Sequence, residues 1–273
     1  MSIALCIGDN CIDRYLPPIN QSFIGGNALN TAVHMKHAGC DVSYLGAIGE
    51  DDNGRAILEV LAKKQIDATH CQIYPTNTAY TIVKIAEDGN RYFLHEDRGA
   101  TVNLRIDEDM LNYIHKFKLI HNTWLGGTEN HLSAFHNQSG NFVSMDFGER
   151  YSEDFIDKTI QYVDIAFFST NSDGHLLAEK VAKSMYQHGP KLVVVTMGSE
   201  GSLAYDGHIT FQPAEKVEVV DTLGAGDAFI GTFLAHWING KTIEQCMALA
   251  SKAAAHTCTF FGAWEGSLLQ VER

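Results

Sequence analysis

The sequence predicts an α/β protein in which a mainly parallel central sheet is flanked by helices, with a small second β-sheet beside it. Short apolar runs typical of buried strands alternate along the chain with longer segments of helical periodicity. One stretch breaks this alternation with two strand-like runs joined by a glycine-containing turn. The composition, 45% hydrophobic and 19% charged over 273 residues, is that of a globular protein and excludes a disordered chain.

Each element of the central sheet is predicted from its own segment. The strand-like apolar runs are residues 3–7, 42–48, 118–122, 141–146, 163–169 and 191–196. The helical segments are residues 27–37, 53–64, 107–116, 153–161, 173–188, 225–239 and 242–258. Because strands that alternate with helices pair in parallel and are buried on both sides, the pattern predicts helices on both faces of the sheet.

The small second sheet is predicted from two hairpins. Residues 79–86 and 91–95 flank Glu87-Asp-Gly-Asn90 and predict a β-hairpin with a glycine turn. A shorter pair, residues 11–16 and 21–24, is joined through Pro17-Pro18. Such strands do not fit a covered parallel sheet, so we expect them to lie beside the main domain as a lid.

Charge and cysteine usage exclude several classes of function. With 20 Lys and Arg against 33 Asp and Glu, the net charge is −13, and no basic face for nucleic acid is visible. No apolar run approaches the ~18 residues that span a bilayer, and the start lacks the positive region of a signal peptide, which predicts a cytoplasmic protein without a membrane partner. The six cysteines form no Cys-x-x-Cys pair, which favours reduced, buried thiols over a zinc or redox motif.

The most informative motif is Asp221-Thr-Leu-Gly-Ala-Gly-Asp227, which follows a strand-like run at 217–220 and opens a predicted helix. Its glycines let successive backbone N–H groups point into one concavity, where a helix N-terminus adds partial positive charge. Such a concavity suits a phosphoryl group, and Asp227 beside it could take a proton from an attacking hydroxyl. The alternative is a glycine-rich helix start, but the two bracketing aspartates favour function.

Three weaker motifs lie at strand ends or at a helix start. Gly25-Gly26-Asn27-Ala-Leu-Asn30 begins a helix, and its asparagines offer the donors and acceptors that sugar hydroxyls require. Asp13 follows the first strand, and ligands of open parallel sheets bind beyond the carboxyl ends of strands. Thr196-Met-Gly198-Ser-Glu-Gly201 follows another strand and could face a nucleotide. Singly, each is equally explained as a turn or a helix cap.

Together, these motifs resemble the ribokinase, or PfkB, family of carbohydrate kinases. The order matches: Asp13, Gly-Gly-x-x-x-Asn at 25–30, Thr-x-Gly-x-x-Gly at 196–201, and the specific Asp-Thr-x-Gly-Ala-Gly-Asp at 221–227. The resemblance runs from about residue 3 to about residue 264. It implies a ribokinase-like three-layer α/β sandwich, a single domain over residues 1–273 with a β-sheet lid formed by segments at about 11–25 and 78–98.

The resemblance also implies a role for individual residues. Asp227 corresponds to the catalytic base, and Gly224, Ala225 and Gly226 to the anion hole for the transferring phosphoryl group. The implied sugar-binding residues are Asp13, Gly25, Gly26, Asn27 and Asn30. The implied nucleotide-binding residues are Asn171, Thr196, Gly198, Gly201 and Ser251. Asp221 matches an aspartate that in some members helps to hold a monovalent cation.

One departure from the family concerns magnesium. Many members carry Asn-x-x-Glu near Asn171, where the glutamate helps to organise the metal, but Gly174 stands at that place here. Asp173 or Glu179 could substitute. Because ATP phosphates still need a cation to offset their charge, the expected cofactors are ATP and Mg²⁺, with K⁺ as a further option.

The substrate is narrowed by resemblance within the family. The start at 7–13, the short first lid segment and the ending Phe261-Gly-Ala-Trp264 look most like the fructoselysine 6-kinases, which phosphorylate the 6-hydroxyl of an amino-acid-linked fructose. Acidic lid residues would suit an ammonium-bearing substrate: Glu87, Asp88, Glu96 and Asp97. Arg98 could meet a substrate carboxylate or be an ordinary surface arginine.

Several alternatives stay open. The sugar could be another ketose, a sugar acid or a nucleoside, the chain could be a catalytically silent sugar-binding relative, and lids of this family sometimes pair to form homodimers. A dinucleotide-dependent oxidoreductase is disfavoured, because the first strand is followed by Gly-Asp-Asn rather than Gly-x-Gly-x-x-Gly. His34 and His37 are expected to be a surface pair, and Trp264 is expected to pack rather than to contact a cofactor.

Overall fold

The computed structural model describes residues 3–85, 91–136, 140–149, 152–170 and 174–269. Its strands are β1 (Ala4–Ile7), β2 (Cys11–Tyr15), β3 (Ser22–Gly25), β4 (Val42–Leu45), β5 (Ala47–Gly49), β6 (Gln72–Tyr74), β7 (Tyr80–Ile85), β8 (Arg91–Asp97), β9 (Leu119–Thr123), β10 (Phe142–Asp146), β11 (Ile165–Ser169), β12 (Leu192–Thr196), β13 (Ser202–Tyr205) and β14 (Ile209–Gln212). Its α-helices are α1 (Asn27–His37), α2 (Asp52–Lys63), α3 (Glu108–Ile114), α4 (Glu153–Thr159), α5 (Gly174–Tyr186), α6 (Ala225–Ile238) and α7 (Ile243–Thr257).

The central sheet has eight strands in the order β14-β13-β12-β11-β10-β9-β1-β4. Six strands of this sheet pair in parallel, namely β4, β1, β9, β10, β11 and β12, whereas β13 and β14 add an antiparallel edge. The predicted α/β class with a mainly parallel sheet is therefore confirmed. The carboxyl ends of the parallel strands lie along the same side of the sheet, where the chain leaves each strand for the next helix. Ligands of such sheets bind beyond these strand ends.

Helices cover both faces of the central sheet, and the strand sequences explain why. Along β12, Leu192 and Val194 pack into the core beneath α1, α2, α6 and α7, whereas Val193 and Val195 pack into the core beneath α3, α4 and α5. Because successive side chains of a strand point to opposite faces, a strand that is apolar throughout needs cover on both sides.

The small sheet consists of four strands in the order β3-β2-β7-β8. The antiparallel pair β7–β8 confirms the predicted hairpin, although its turn, Glu87 to Asn90, lies outside the described residues. Strand β2 joins the two hairpins by pairing with β7 in parallel. Among the helices of the described ranges, none is long and apolar enough to cross a membrane.

Three local predictions differ from the structure. The single strand predicted over 42–48 is interrupted at Gly46, where the hydroxyl of Tyr44 and the carbonyl of Gly8 leave no space for a Cβ. Residues 217–220 do not form a strand, since they run along the surface and only Val220 N–H reaches a neighbouring carbonyl, that of Cys258. The β13–β14 hairpin, which the periodicity did not reveal, takes the edge position.

Candidate active site

A cavity of about 1140 Å³ lies where the carboxyl ends of the central strands, the small sheet and the N-terminus of α6 meet. It collects most of the predicted site residues that the structure describes, namely Asp13, Gly26, Asn27, Asn30, Arg98, Thr196, Gly198, Gly201, Gly224, Ala225, Gly226, Asp227 and Ser251. Gly25 and Asp221 are not on its wall. Asn171 and Asp173 fall outside the described residues.

The carboxyl group of Asp227 lies in the first turn of α6, at the base of the cavity, and is 8% exposed. Burial raises its pKa well above the usual range. The Asn30 amide opposes this shift by donating a hydrogen bond from Nδ2 to Oδ2 at 2.8 Å. The nearby charges of Asp146, Asp9 and Asp13 raise the pKa further. A carboxyl group of raised pKa binds a proton tightly once ionised, which suits a general base acting on a hydroxyl.

The loop before Asp227 presents backbone donors to the cavity. Gly224 takes a left-handed conformation with φ of 75°, and no side chain of the described residues caps the helix that follows. The N–H of Ala225 donates to Thr222 within the turn at 3.3 Å, so the next amides, those of Gly226 and Asp227, are the ones that lack a helical partner. With the helix dipole behind them, these amides form a site for an anion.

The start of α1 is held by Asp9 rather than by a cap of its own. The Asp9 carboxylate accepts hydrogen bonds from the amide of Asn27 at 2.7 Å and from the hydroxyl of Thr123 at 2.6 Å. Gly26, at φ of 106°, passes so close to Asn10 that a Cβ would lie 2.4 Å from its Cα. The absence of a side chain at Gly26 therefore lets α1 begin directly at the cavity, with Asn27 and Asn30 on its wall.

Gly25 has a different function from the one its motif suggests. A Cβ on Gly25 would lie 2.1 Å from Oδ2 of Asp13. The absence of a side chain thus makes room for the Asp13 carboxylate, which is 4% exposed on β2 and faces the cavity.

Asp146, at the end of β10, is a cavity residue that the sequence reasoning missed. Burial raises its pKa to about 6, while hydrogen bonds from the Gly148 amide and the Asn27 side chain lower it. The rule that selected Asp13, that ligands bind beyond strand ends, could have selected Asp146 as well. Of the acidic lid residues, Glu96 and Asp97 line the cavity, whereas Glu87 and Asp88 lie outside the described residues.

The opposite end of the cavity is formed by β12, α7 and the loop after β14. The Thr196 hydroxyl lies 2.9 Å from that of Ser169, and the Ser251 hydroxyl donates to the Pro213 carbonyl at 3.3 Å. At the rim, the exposed guanidinium of Arg98 donates to the Leu125 carbonyl at 2.5 Å. This end carries hydroxyl groups beside apolar side chains such as Val217 and Ala254.

A model of the pfkB family carbohydrate kinases matches residues 16–268. The chain belongs to this family. It is an ATP-dependent carbohydrate kinase, as the sequence motifs predicted.

Curated relatives of this pfkB-family chain align with it over nearly its whole length. It is 32% identical over 265 residues to the fructoselysine 6-kinase of Escherichia coli (strain K12), covering 97% of the chain and 100% of that relative. It is 31% identical over 264 residues to the fructosamine kinase FrlD of Bacillus subtilis (strain 168), covering 95% and 92%. The ribokinase of Arabidopsis thaliana complexed with ribose and ATP superposes with a TM-score of 0.82 at 20% identity, covering 96% and 94%. This likeness confirms the ribokinase-like fold.

Asp221 of this kinase ties the small sheet to the loop that leads into α6. Its carboxylate accepts hydrogen bonds from the Tyr15 hydroxyl at 2.5 Å, the Leu223 amide at 3.0 Å and the Gly262 amide at 3.3 Å. The Tyr15 ring packs edge-on against Phe23 and Phe261. Tyr15 was not singled out from the sequence, since nothing in its neighbourhood marks a partner 206 residues away.

We expect Tyr15→Phe to lower stability by about 1.5–3 kcal/mol, because the buried Asp221 carboxylate loses a charge-assisted hydrogen bond while the ring packing stays. A thermal melt should show a lower Tm. Tyr186→Phe is the matched control, since its hydroxyl donates to the Asp206 carbonyl, an uncharged acceptor, at 3.4 Å near the surface. Equal Tm values for the two variants would contradict a stabilising role for the Tyr15–Asp221 contact.

Two side predictions are corrected. His34 does not lie at the surface: it is 6% exposed, its Nε2 lies 2.9 Å from the Ala263 carbonyl, and burial lowers its pKa to about 4. Glu179, considered as a substitute for the missing magnesium-organising glutamate, pairs with Lys183 at 2.5 Å and is not on the cavity wall.

Proposed function

We propose that the chain transfers the γ-phosphate of ATP to the 6-hydroxyl of fructoselysine or a related fructosamine. The observation that carries the catalytic part is the placement of Asp227 beside the amides at the start of α6, in one cavity with Asp13 and Asn30. In this proposal the sugar contacts Asp13, Gly26, Asn27 and Asn30, and the nucleotide contacts the end formed by Thr196, Gly198, Gly201 and Ser251, with Asn171 as a further nucleotide residue.

The charge of the cavity supports an amine-bearing sugar. Within the described residues, the wall carries eight acidic side chains (Asp9, Asp13, Glu96, Asp97, Asp146, Glu149, Glu215 and Asp227) and two basic ones (Arg98 and Lys216). Fructosamines carry a protonatable amine next to the sugar, which such a wall attracts, whereas it repels a sugar acid. Two relatives of 31–32% identity over nearly their full length bear fructoselysine or fructosamine kinase names.

The chemistry follows from what each group can do. The Oδ1 of Asp227, which Asn30 does not engage, takes the proton of the attacking hydroxyl. The amides of Gly226 and Asp227 stabilise the charge on the phosphoryl oxygens through the helix terminus. The small sheet covers the sugar end and excludes water, so that ATP is not hydrolysed instead. In this proposal residues 1–273 form one kinase domain, and segments 11–25 and 78–98 are its lid.

The donor set fits the expected cations. Mg²⁺ prefers oxygen ligands, and the carboxylates of Asp146 and Glu149 lie on the cavity wall. When bound with ATP it offsets the phosphate charge. For a monovalent cation near Asp221, the supporting observation is the Ser267 hydroxyl, buried beside Gly262 with no hydrogen-bond partner among the described residues.

A dimer through the small sheet is part of the same proposal. Tyr92 and Leu94 alternate with the cavity-facing Phe93 on β8 and are 51% and 55% exposed. Their position on the outer face of the sheet offers an apolar surface to a second copy.

The experiment is an ADP-release assay with Mg-ATP against fructoselysine, other fructosamines, fructose, ribose, 2-keto-3-deoxygluconate and adenosine, run in K⁺ and in Na⁺ buffers. We expect kcat/KM for fructoselysine to exceed that for fructose by about 10- to 100-fold, the value of one or two charge-assisted hydrogen bonds. Preference for another sugar would retain the kinase and reject the fructosamine. If no sugar gives ADP release, in folded protein that binds fructoselysine, the chain is a catalytically silent relative.

A further inference from the structure

We propose that Trp264 is a positioning residue for the catalytic base, because its indole N–H fixes the orientation of the Asn30 amide and so keeps an N–H donor on Asp227. This inference rests on the proposed role of Asp227 as the base. Trp264 contacts neither the sugar nor the nucleotide in this scheme and acts only through Asn30.

The geometry is a chain of three buried groups. The Trp264 side chain is 1% exposed, and its Nε1 donates to Oδ1 of Asn30 at 3.0 Å. Asn30 is 3% exposed, and its Nδ2 donates to Oδ2 of Asp227 at 2.8 Å. The three residues stand far apart in sequence, and two of them lie on the packed helices α1 and α6.

Chemistry alone decides which way the Asn30 amide points. An indole N–H is only a donor, so the amide atom that faces Trp264 must be the oxygen. The amide nitrogen then faces Asp227, where an ionised carboxylate can only accept. Without the indole N–H, a rotated Asn30 amide would place its oxygen against the carboxylate and repel the ionised form.

This orientation matters because three carboxylates near Asp227 oppose its ionisation. Asp9 after β1, Asp13 on β2 and Asp146 at the end of β10 all face it with negative charge. The Asn30 amide is the hydrogen-bond donor that offsets them among the described residues. It also holds Oδ2, which leaves Oδ1 for the substrate hydroxyl.

The surroundings hold Trp264 in place. The Lys64 ammonium lies 4.6 Å from the centre of the Trp264 ring. The carbonyl of the preceding residue, Ala263, lies within hydrogen-bond distance of His34 Nε2, at 2.9 Å. Helix α6 packs closely against α1 at Gly231. A Cβ on Gly231 would lie 2.6 Å from the carbonyl oxygen of Thr31 on α1. This close approach brings Asn30 and Asp227 within hydrogen-bond distance.

The test is Trp264→Phe, assayed over pH 5–9 with Mg-ATP and the sugar of the substrate panel that is turned over. Loss of the donor should raise the pKa of the base. The acid limb, by which we mean the rise of kcat/KM with pH on the acidic side of the profile, should therefore move to higher pH by about one unit. At pH values below that limb, kcat/KM should fall about tenfold, whereas the KM for ATP should stay within about twofold. Trp237→Phe is the matched control: Trp237 lies on the same helix as Asp227 but lines a separate cavity of about 140 Å³, so the pH profile of this variant should match that of the native chain.

A double-mutant cycle separates positioning from packing. Asn30→Ala should shift the acid limb in the same direction, and adding Trp264→Phe to it should change the limb no further, since the indole acts through that amide. An unshifted limb in Trp264→Phe, or an additional shift in the double variant, would overturn the proposal. If Trp264→Phe does not fold, an unshifted limb in Asn30→Ala overturns it instead. Asp227→Asn separates a wrong role for Trp264 from a wrong assignment of the base. If Asp227 is not the base, this variant remains active.

Discussion

Asp227→Asn should bind the sugar and ATP almost as the native chain does, yet turn over about 10²-fold more slowly or worse. Asparagine has the same shape and keeps the contact to Asn30, but it cannot take the proton of the attacking hydroxyl. The loss should therefore appear in kcat and not in the binding constants. ADP release measures the first, and titration calorimetry with the sugar measures the second.

The control for this experiment is Asp109→Asn, the same change at an exposed carboxylate in the first turn of α3. It should leave both kcat and binding unchanged. Turnover of Asp227→Asn within a few-fold of the native rate would remove Asp227 as the base and with it the proposed mechanism.

Gly224→Ala should lose both stability and activity. A Cβ at this position would lie 2.4 Å from the Cβ of Ala263, and its φ of 75° disfavours any side chain. The left-handed backbone costs roughly 1–2 kcal/mol and the overlap about 1–3 kcal/mol more. We expect Tm to fall by roughly 5–10 °C. Because the loop must shift to relieve the overlap, the amides of Gly226 and Asp227 move, and kcat should fall by about 10²-fold.

Gly226→Ala provides the stability control two residues away. No atom of the described residues lies within 4 Å of a Cβ placed there, and its φ is not in the left-handed region. Its Tm should stay within about 2 °C of the native value. If Gly224→Ala melts at the same temperature as Gly226→Ala, the fit of the loop against Ala263 is looser than the structure indicates.

The fold could be predicted from the sequence because its signals are local. The apolar run before Gly8 and the periodicity of residues 27–37 each specify an element by themselves, and α1 has the predicted bounds. The β13–β14 hairpin was missed because each of its strands is only four residues long, which is too short for the periodicity to stand out. The run at 217–220 has strand composition but no neighbouring strand to pair with.

The residues of the candidate site were predictable from the sequence where they belong to a recognisable motif. Asp13, Asn30 and Asp227 were selected by motif, and the structure brings them to one cavity. Tyr15, Asp146 and Trp264 were not assigned to the site, because their roles depend on partners that only the folded chain brings near. For Trp264 the packing interpretation described its burial but not its hydrogen bond to Asn30.

The contacts that complete the cavity join opposite ends of the polypeptide. Asn30 and Asp227 are separated by 197 residues, Tyr15 and Asp221 by 206, and Asn30 and Trp264 by 234. Because closing such long loops costs entropy before any contact is gained, we expect these pairings to form after the local contacts of the helices and strands. A chain that is still being synthesised lacks the base until α6 has emerged, and it lacks the indole that orients Asn30 until Trp264 has emerged. The site therefore assembles only when residues near position 30 and residues beyond position 220 have folded together.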